Sequence, residues 1–159
     1  MNRTYVTLSA FVLLSIAVAG STFLLATSAQ AHCQVPCGIY DDAARVKHLR
    51  EDATTIEKAI QAIIDLSGKT DPQSFNQLIR WTTTKEDHAS NVISVVSEYF
   101  LAQKIKPVAA GADGYDDYLK NLADHHAVMV AAMKTKQNAD PQVVKDLNSA
   151  IDGLAAHYK

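Results

Sequence analysis

The chain has 159 residues, 48% of them hydrophobic and 20% charged, and a formal net charge of −2. Its length provides one domain able to bury a single core. Nothing in the slightly acidic balance suggests nucleic acid or an anionic membrane surface as a partner.

The first 31 residues read as a cleaved signal peptide. Arg3 supplies the positive start, Phe11 to Ala26 is apolar, and Ala29-Gln30-Ala31 is a small-x-small cleavage site. A membrane anchor is the competing reading. Against it, the apolar stretch falls short of the roughly 20 residues that span a bilayer, and no cluster of Lys or Arg follows as a stop. Cleavage by signal peptidase would leave His32 to Lys159, 128 residues with fourteen basic and seventeen acidic side chains. That product would be exported, periplasmic or secreted, with no stable membrane anchor.

The mature chain would then open on His32-Cys33-Gln34-Val35-Pro36-Cys37-Gly38-Ile39-Tyr40, which holds both cysteines of the protein. A terminal His32 offers its amine and imidazole, Cys33 an amide nitrogen and a thiolate, and Cys37 a second thiolate. Amine and amide close a five-membered chelate ring, the Cys33 thiolate closes the next, and Cys37 returns to the fourth corner through Pro36 and Gly38. Planar nitrogen and thiolate donors suit Ni(II) or Cu(II) better than tetrahedral zinc. In the uncut precursor the His32 nitrogen is an ordinary amide, so processing would complete the site. Two other readings stand beside this one: a Cys33–Cys37 disulfide, as exported paired cysteines commonly form, and a copper-carrying cysteine pair.

From Asp41 onward the pattern is helical. Val46, Leu49, Ala53, Ile56, Ile60 and Ile63 recur at steps of three and four and predict a helix from Asp42 to Leu66, ended by Ser67-Gly68-Lys69. Asp71-Pro72 starts a second, with Asp71 as N-cap. Phe75, Leu78, Ile79, Thr82, Ala89, Val92, Val96 and Phe100 mark its inner face to about Gln103. Thr82 to His88 is polar for such a face and predicts a kink or an inward polar spot. Lys106-Pro107 and Gly111-Ala112-Asp113-Gly114 form the following loop.

A third helix spans about Tyr115 to Gln137, with Tyr118, Leu122, His125, Met129 and Ala132 on one side. Asp140-Pro141 opens a fourth, carrying Val144, Leu147, Ile151, Leu154 and Tyr158. The fold class expected is all-α, an up-down four-helix bundle with an irregular N-terminal metal-binding hook. The divisions are 1–31 signal peptide, 32–40 hook and 41–159 bundle. A di-iron bundle is disfavoured, because no Glu is followed three residues later by His.

At the hook the chain resembles the nickel-containing superoxide dismutases, whose mature terminus has the form His-Cys-x-x-Pro-Cys-Gly-x-Tyr. His32, Cys33, Pro36, Cys37, Gly38 and Tyr40 match every fixed position. The resemblance implies disproportionation of superoxide to dioxygen and hydrogen peroxide by Ni(II)/Ni(III) cycling, in a homohexamer. It implies nickel held by His32, Cys33 and Cys37, with the His32 imidazole as an axial ligand in the oxidised state. Tyr40 would orient an anion or water beside the open face; its bland alternative is a hydrophobic staple for the first helix.

Three features depart from the family pattern. Gln34 stands where some members carry Asp. Lys47 and His88 fall near the places of a Glu and an Arg that steady the axial imidazole, so His88 is a candidate outer partner beside the reading of a solvated face. The leader looks like a full export signal rather than a short leader cut by a dedicated protease. Tyr99 resembles a second family tyrosine that approaches the site from the bundle. Arg45, Lys47 and Lys85 are candidates to offset the net negative charge for an anionic substrate. His125 and His126 should diverge on their helix, and His48 and His157 read as surface residues. The non-enzymatic alternative is an exported helical bundle with a disulfide or a copper-binding cysteine pair.

Overall fold

The structure, a computed structural model, describes residues 40–158. The segment expected to be a signal peptide and the hook residues His32, Cys33 and Cys37 therefore lie outside the described residues. Four helices account for most of the described chain: α1 (Asp42–Leu66), α2 (Pro72–Ser94), α3 (Tyr115–Gln137) and α4 (Gln142–Ala155). The α2 rod continues as a π-helix over Val95–Lys104. No strand occurs among the described residues, and no described helix is long and apolar enough to cross a membrane.

Local chemistry sets the helix ends where the sequence signals them. Asp41 accepts from the amide of Ala44 at 2.9 Å, and Asp71 accepts from that of Ser74 at 2.9 Å, each satisfying an amide that the first turn leaves free. Gly68, at φ 82°, takes the left-handed turn that stops α1. Asp140 receives the amide of Gln142 at 2.8 Å just ahead of α4.

Each helix packs on its neighbour in sequence, and α4 closes the ring against α1. The core between them is Leu49, Ala53, Ile56 and Ile60 from α1, Ala89, Val92, Val96 and Phe100 from the second rod, Val128 and Ala132 from α3, and Val144, Leu147, Ile151 and Leu154 from α4. This is the expected up-down bundle.

The second helix departs from expectation at both ends. Phe75, Ile79 and Thr82, read as inner-face residues, are exposed, the first two at 61% and 51%. The reason is length. Lys85 already lies level with the end of α3, so the first thirteen residues of α2, about 20 Å at 1.5 Å per residue, run beyond α3 and α4, which are both shorter than the continuous rod Pro72–Lys104. Only α1 accompanies them, and Ile64 at its end is also exposed. At the other end, the amide of Ile105 donates to the carbonyl of Phe100 at 3.0 Å, five residues back. This wider winding lets the consecutive Tyr99 and Phe100 both be buried.

The polar spot foreseen between Thr82 and His88 is Lys85. Its side chain is 4% exposed, and Nζ donates to the carbonyls of Thr135 at 2.6 Å and Lys136 at 2.5 Å.

Candidate functional site

The start of the described chain is built around Tyr40, three positions after Cys37 in sequence. Tyr40 precedes the cap of α1 and is exposed. Its ring meets Tyr99 edge-on, with centroids 5.8 Å apart. Tyr99 comes from the π-helical segment and is buried, and its hydroxyl donates to Asp42 Oδ1 at 2.7 Å. The other oxygen of Asp42 pairs with Lys104 Nζ at 3.0 Å. Asp42 thus fastens the start of α1 to the end of the second rod.

Two cations cover the tyrosines. Lys104 Nζ lies 4.5 Å from the centre of the Tyr40 ring, and the Arg45 guanidinium lies 5.0 Å from that of Tyr99. Both are within cation–π range. Burial and the adjacent Asp42 carboxylate push the Tyr99 hydroxyl up to about 12. Tyr99 therefore stays a neutral donor across the working range, and its proton is committed to Asp42.

Of the sequence candidates among the described residues, Tyr40, Tyr99 and Arg45 come together here. His88 does not join them. Its Nδ1 lies 2.6 Å from Asp52 Oδ1, and Asn91 donates to the other oxygen of that carboxylate at 2.7 Å. Asp52 is ten positions along α1 from Asp42, or about 15 Å. Lys47 is an exposed partner of Glu51, and Lys85 is buried at the far end of α3. Sequence reasoning missed Asp42 and Lys104. The first looked like an ordinary first-turn acid and the second like the tail of a helix, and only folding brings them to Tyr99.

Behind Tyr99 lies a second polar cluster. His125 is fully buried, and its Nδ1 faces the carbonyl of Asn121 at 2.7 Å. A carbonyl only accepts, so Nδ1 carries the proton and Nε2 is the free acceptor. Tyr158 donates its hydroxyl to that Nε2 at 2.8 Å. His126 is exposed, as the divergence of neighbours on a helix requires, and so is His48. His157 corrects the surface reading: it is half-buried and holds Asp124 at 2.7 Å, because the chain after α4 folds back onto α3.

Burial lowers the affinity of His125 for a second proton. The folded state therefore binds fewer protons here than the unfolded chain. The stability contributed by neutral His125 is complete above the ordinary value of 6.5 and is lost as pH falls below it. Between pH 7 and pH 5 the melting temperature should fall more steeply in the wild type than in His125→Gln, whose amide does not titrate. Parallel curves would contradict this. Asp124, held below the ordinary 3.8 by Lys120 and His157, adds its own loss only in stronger acid.

No group of three or more His, Cys, Asp or Glu able to hold a metal occurs among the described residues. The donors that the sequence offers to a redox metal belong to residues 32–37, which precede Tyr40 in the chain and lie outside the described residues. Compared with protein families, residues 27–159 match the one described as nickel-containing superoxide dismutase. No curated protein and no solved structure matches the chain.

Proposed function

The chain belongs to the nickel-containing superoxide dismutases, and on that premise we propose that its metal is held at a processed amino terminus by His32, Cys33 and Cys37. It is an oxidoreductase, with superoxide as substrate and nickel as cofactor. When bound, nickel supplies the one-electron cycle between Ni(II) and Ni(III) that disproportionation requires. The observation that carries the terminal site is the agreement of His32, Cys33, Pro36, Cys37, Gly38 and Tyr40 with all fixed hook positions.

The chain's own residues supply the surroundings. Tyr40 is exposed and stands where its phenol can donate to an anion or a water entering beside the hook. Tyr99 backs the Tyr40 ring, and Asp42 keeps the Tyr99 hydroxyl turned inward. Lys104 and Arg45 place positive charge over both rings, which counters the net negative chain and draws a small anion in. Lys104→Met should lower kcat/KM by roughly 3–10-fold at low salt and flatten its dependence on ionic strength. Pulse radiolysis at several salt concentrations reads both, and an unchanged salt slope would remove Lys104 from this role.

The leader, read as a signal peptide cut after Ala31, supports a periplasmic or secreted enzyme. The family resemblance further suggests a homohexamer, and the exposed Ile64, Phe75 and Ile79 on the projecting α1–α2 end offer an apolar face for a neighbouring copy. One preparation tests the set. The protein is isolated from the exported fraction, its amino end is sequenced, bound metal and thiol state are measured, and its mass is read by sedimentation. A terminus at His32 with one nickel and reduced thiols is the expected result. A closed Cys33–Cys37 disulfide in the active protein would refute thiolate ligation.

A further inference from the structure

The Tyr158–His125 pair lies outside everything the reaction uses, yet it is joined to Tyr40 by an unbroken series of rings. Tyr40 touches Tyr99 at 5.8 Å, Tyr99 touches Phe100 at 4.9 Å, and Phe100 touches Tyr158 at 4.6 Å between centroids. Phe100 is fully buried, so the middle of this series is closed to water. At its inner end, Tyr158 already donates to a histidine whose tautomer is fixed by Asn121.

We infer that Tyr158, with His125 as its proton acceptor, is an internal one-electron donor that drains oxidising equivalents away from the amino-terminal thiolates. The need arises from the reaction itself. Its product is hydrogen peroxide, and peroxide with a redox metal would generate one-electron oxidants able to attack the thiolates proposed to hold that metal. This assignment of the oxidant's origin rests on the terminal site proposed above.

The step balances in one electron and one proton. The electron leaves Tyr158 and passes by way of Tyr99 and Tyr40 to the oxidant, which is reduced. Phe100 is too hard to oxidise to hold the charge and serves as the medium between the tyrosines. The O–H bond of Tyr158 breaks, and its proton forms an N–H bond at His125 Nε2, leaving a neutral phenoxyl and an imidazolium. The transfer distance of 2.8 Å is within the range for direct proton transfer. A small one-electron reductant such as ascorbate, with return of the proton from His125, restores the pair.

Tyr99 is the poorer resting place although it is the direct neighbour of Tyr40 in the series. Its hydroxyl donates to Asp42, but Lys104 already compensates that carboxylate, so transfer of the proton there disrupts an ion pair. Nε2 of His125 holds no ion pair that the proton would disrupt, and the low affinity of the buried ring for a second proton returns that proton to Tyr158 once the radical is reduced.

The test uses the mature chain in two states. Nickel-loaded protein is mixed with hydrogen peroxide and freeze-quenched for electron paramagnetic resonance, with turnover and metal content measured on the same sample. Metal-free protein is oxidised by a flash-generated ruthenium(III) complex. In both, the expected signal is a tyrosyl radical that is lost in Tyr158→Phe. Phe100→Leu should delay its appearance in the peroxide sample, since the donor pair survives but its bridge does not. Mass spectrometry of the peroxide samples should find severalfold more oxidation of Cys33 and Cys37 in Tyr158→Phe, with basal turnover unchanged.

A Tyr158→Phe protein that keeps the wild-type signal in either state overturns the assignment. A chain that binds no nickel overturns the terminal site instead, and the flash experiment still decides the role of Tyr158. A purely structural hydrogen bond would alter melting in Tyr158→Phe and leave the radical where it was.

Discussion

A single alanine added ahead of His32 should reduce superoxide turnover to that of the metal-free protein while leaving the bundle folded. The addition converts the His32 amine into an amide and so removes one of the nitrogens proposed to hold nickel. It alters no residue of the core. The buried set from Leu49 to Leu154 lies wholly within 41–159, and α1 is capped by its own Asp41. Cys33→Ser should have the same result by removing a thiolate. The expected observations are loss of bound nickel and of turnover, with an unchanged helical circular-dichroism spectrum and melting curve. Full activity in the extended protein would end the case for terminal-amine ligation. Unfolding of the extended protein would instead show that the terminus contributes to the core, against the burial described above.

The second large effect is on stability. Lys85→Met keeps the apolar stem but removes the ammonium, which donates to the last carbonyls of α3 and also meets Glu86 at 3.2 Å. A cation at a helix C-terminus opposes the negative end of the helix dipole. Without it, the Thr135 and Lys136 carbonyls lose a charge-assisted donor in a buried site. The cost should be about 2–4 kcal/mol, or a fall on the order of 10 °C in melting temperature. Lys47→Met is the contrast: its pair with Glu51 is long, at 3.6 Å, and largely exposed, and its loss should cost under about 0.5 kcal/mol. Equal effects from the two variants would mean that Lys85 is not the fastening between α2 and α3.

Lys85 also illustrates how far the sequence could be read. The polar run Thr82 to His88 signalled an inward polar spot, but its partners lie fifty residues away. From the sequence alone, Lys85 was as good a candidate for attracting an anion as Arg45. The packing separated them, leaving Arg45 over Tyr99 and Lys85 at the opposite end of the bundle. Phe75 and Ile79 failed for a related reason. Their spacing describes an apolar stripe correctly, but periodicity cannot report that the facing helices stop short of it.

By itself the sequence determined what depends on neighbours in the chain. The donors proposed for nickel are contiguous from His32 to Cys37, so the proposal needs no fold to be read. Helix boundaries at Asp41, Gly68 and Asp71 follow from caps and turns that act over three or four residues. The seam from Val46 to Ile60 follows from a repeat that a single helix must bury. Only the tertiary structure decided what depends on distance in space. It placed Asp42 against Tyr99 and Lys104, set His88 on Asp52 instead, and closed Tyr158 onto His125. Those contacts join residues 33 to 62 positions apart through the common packing of four helices, and no local pattern encodes them.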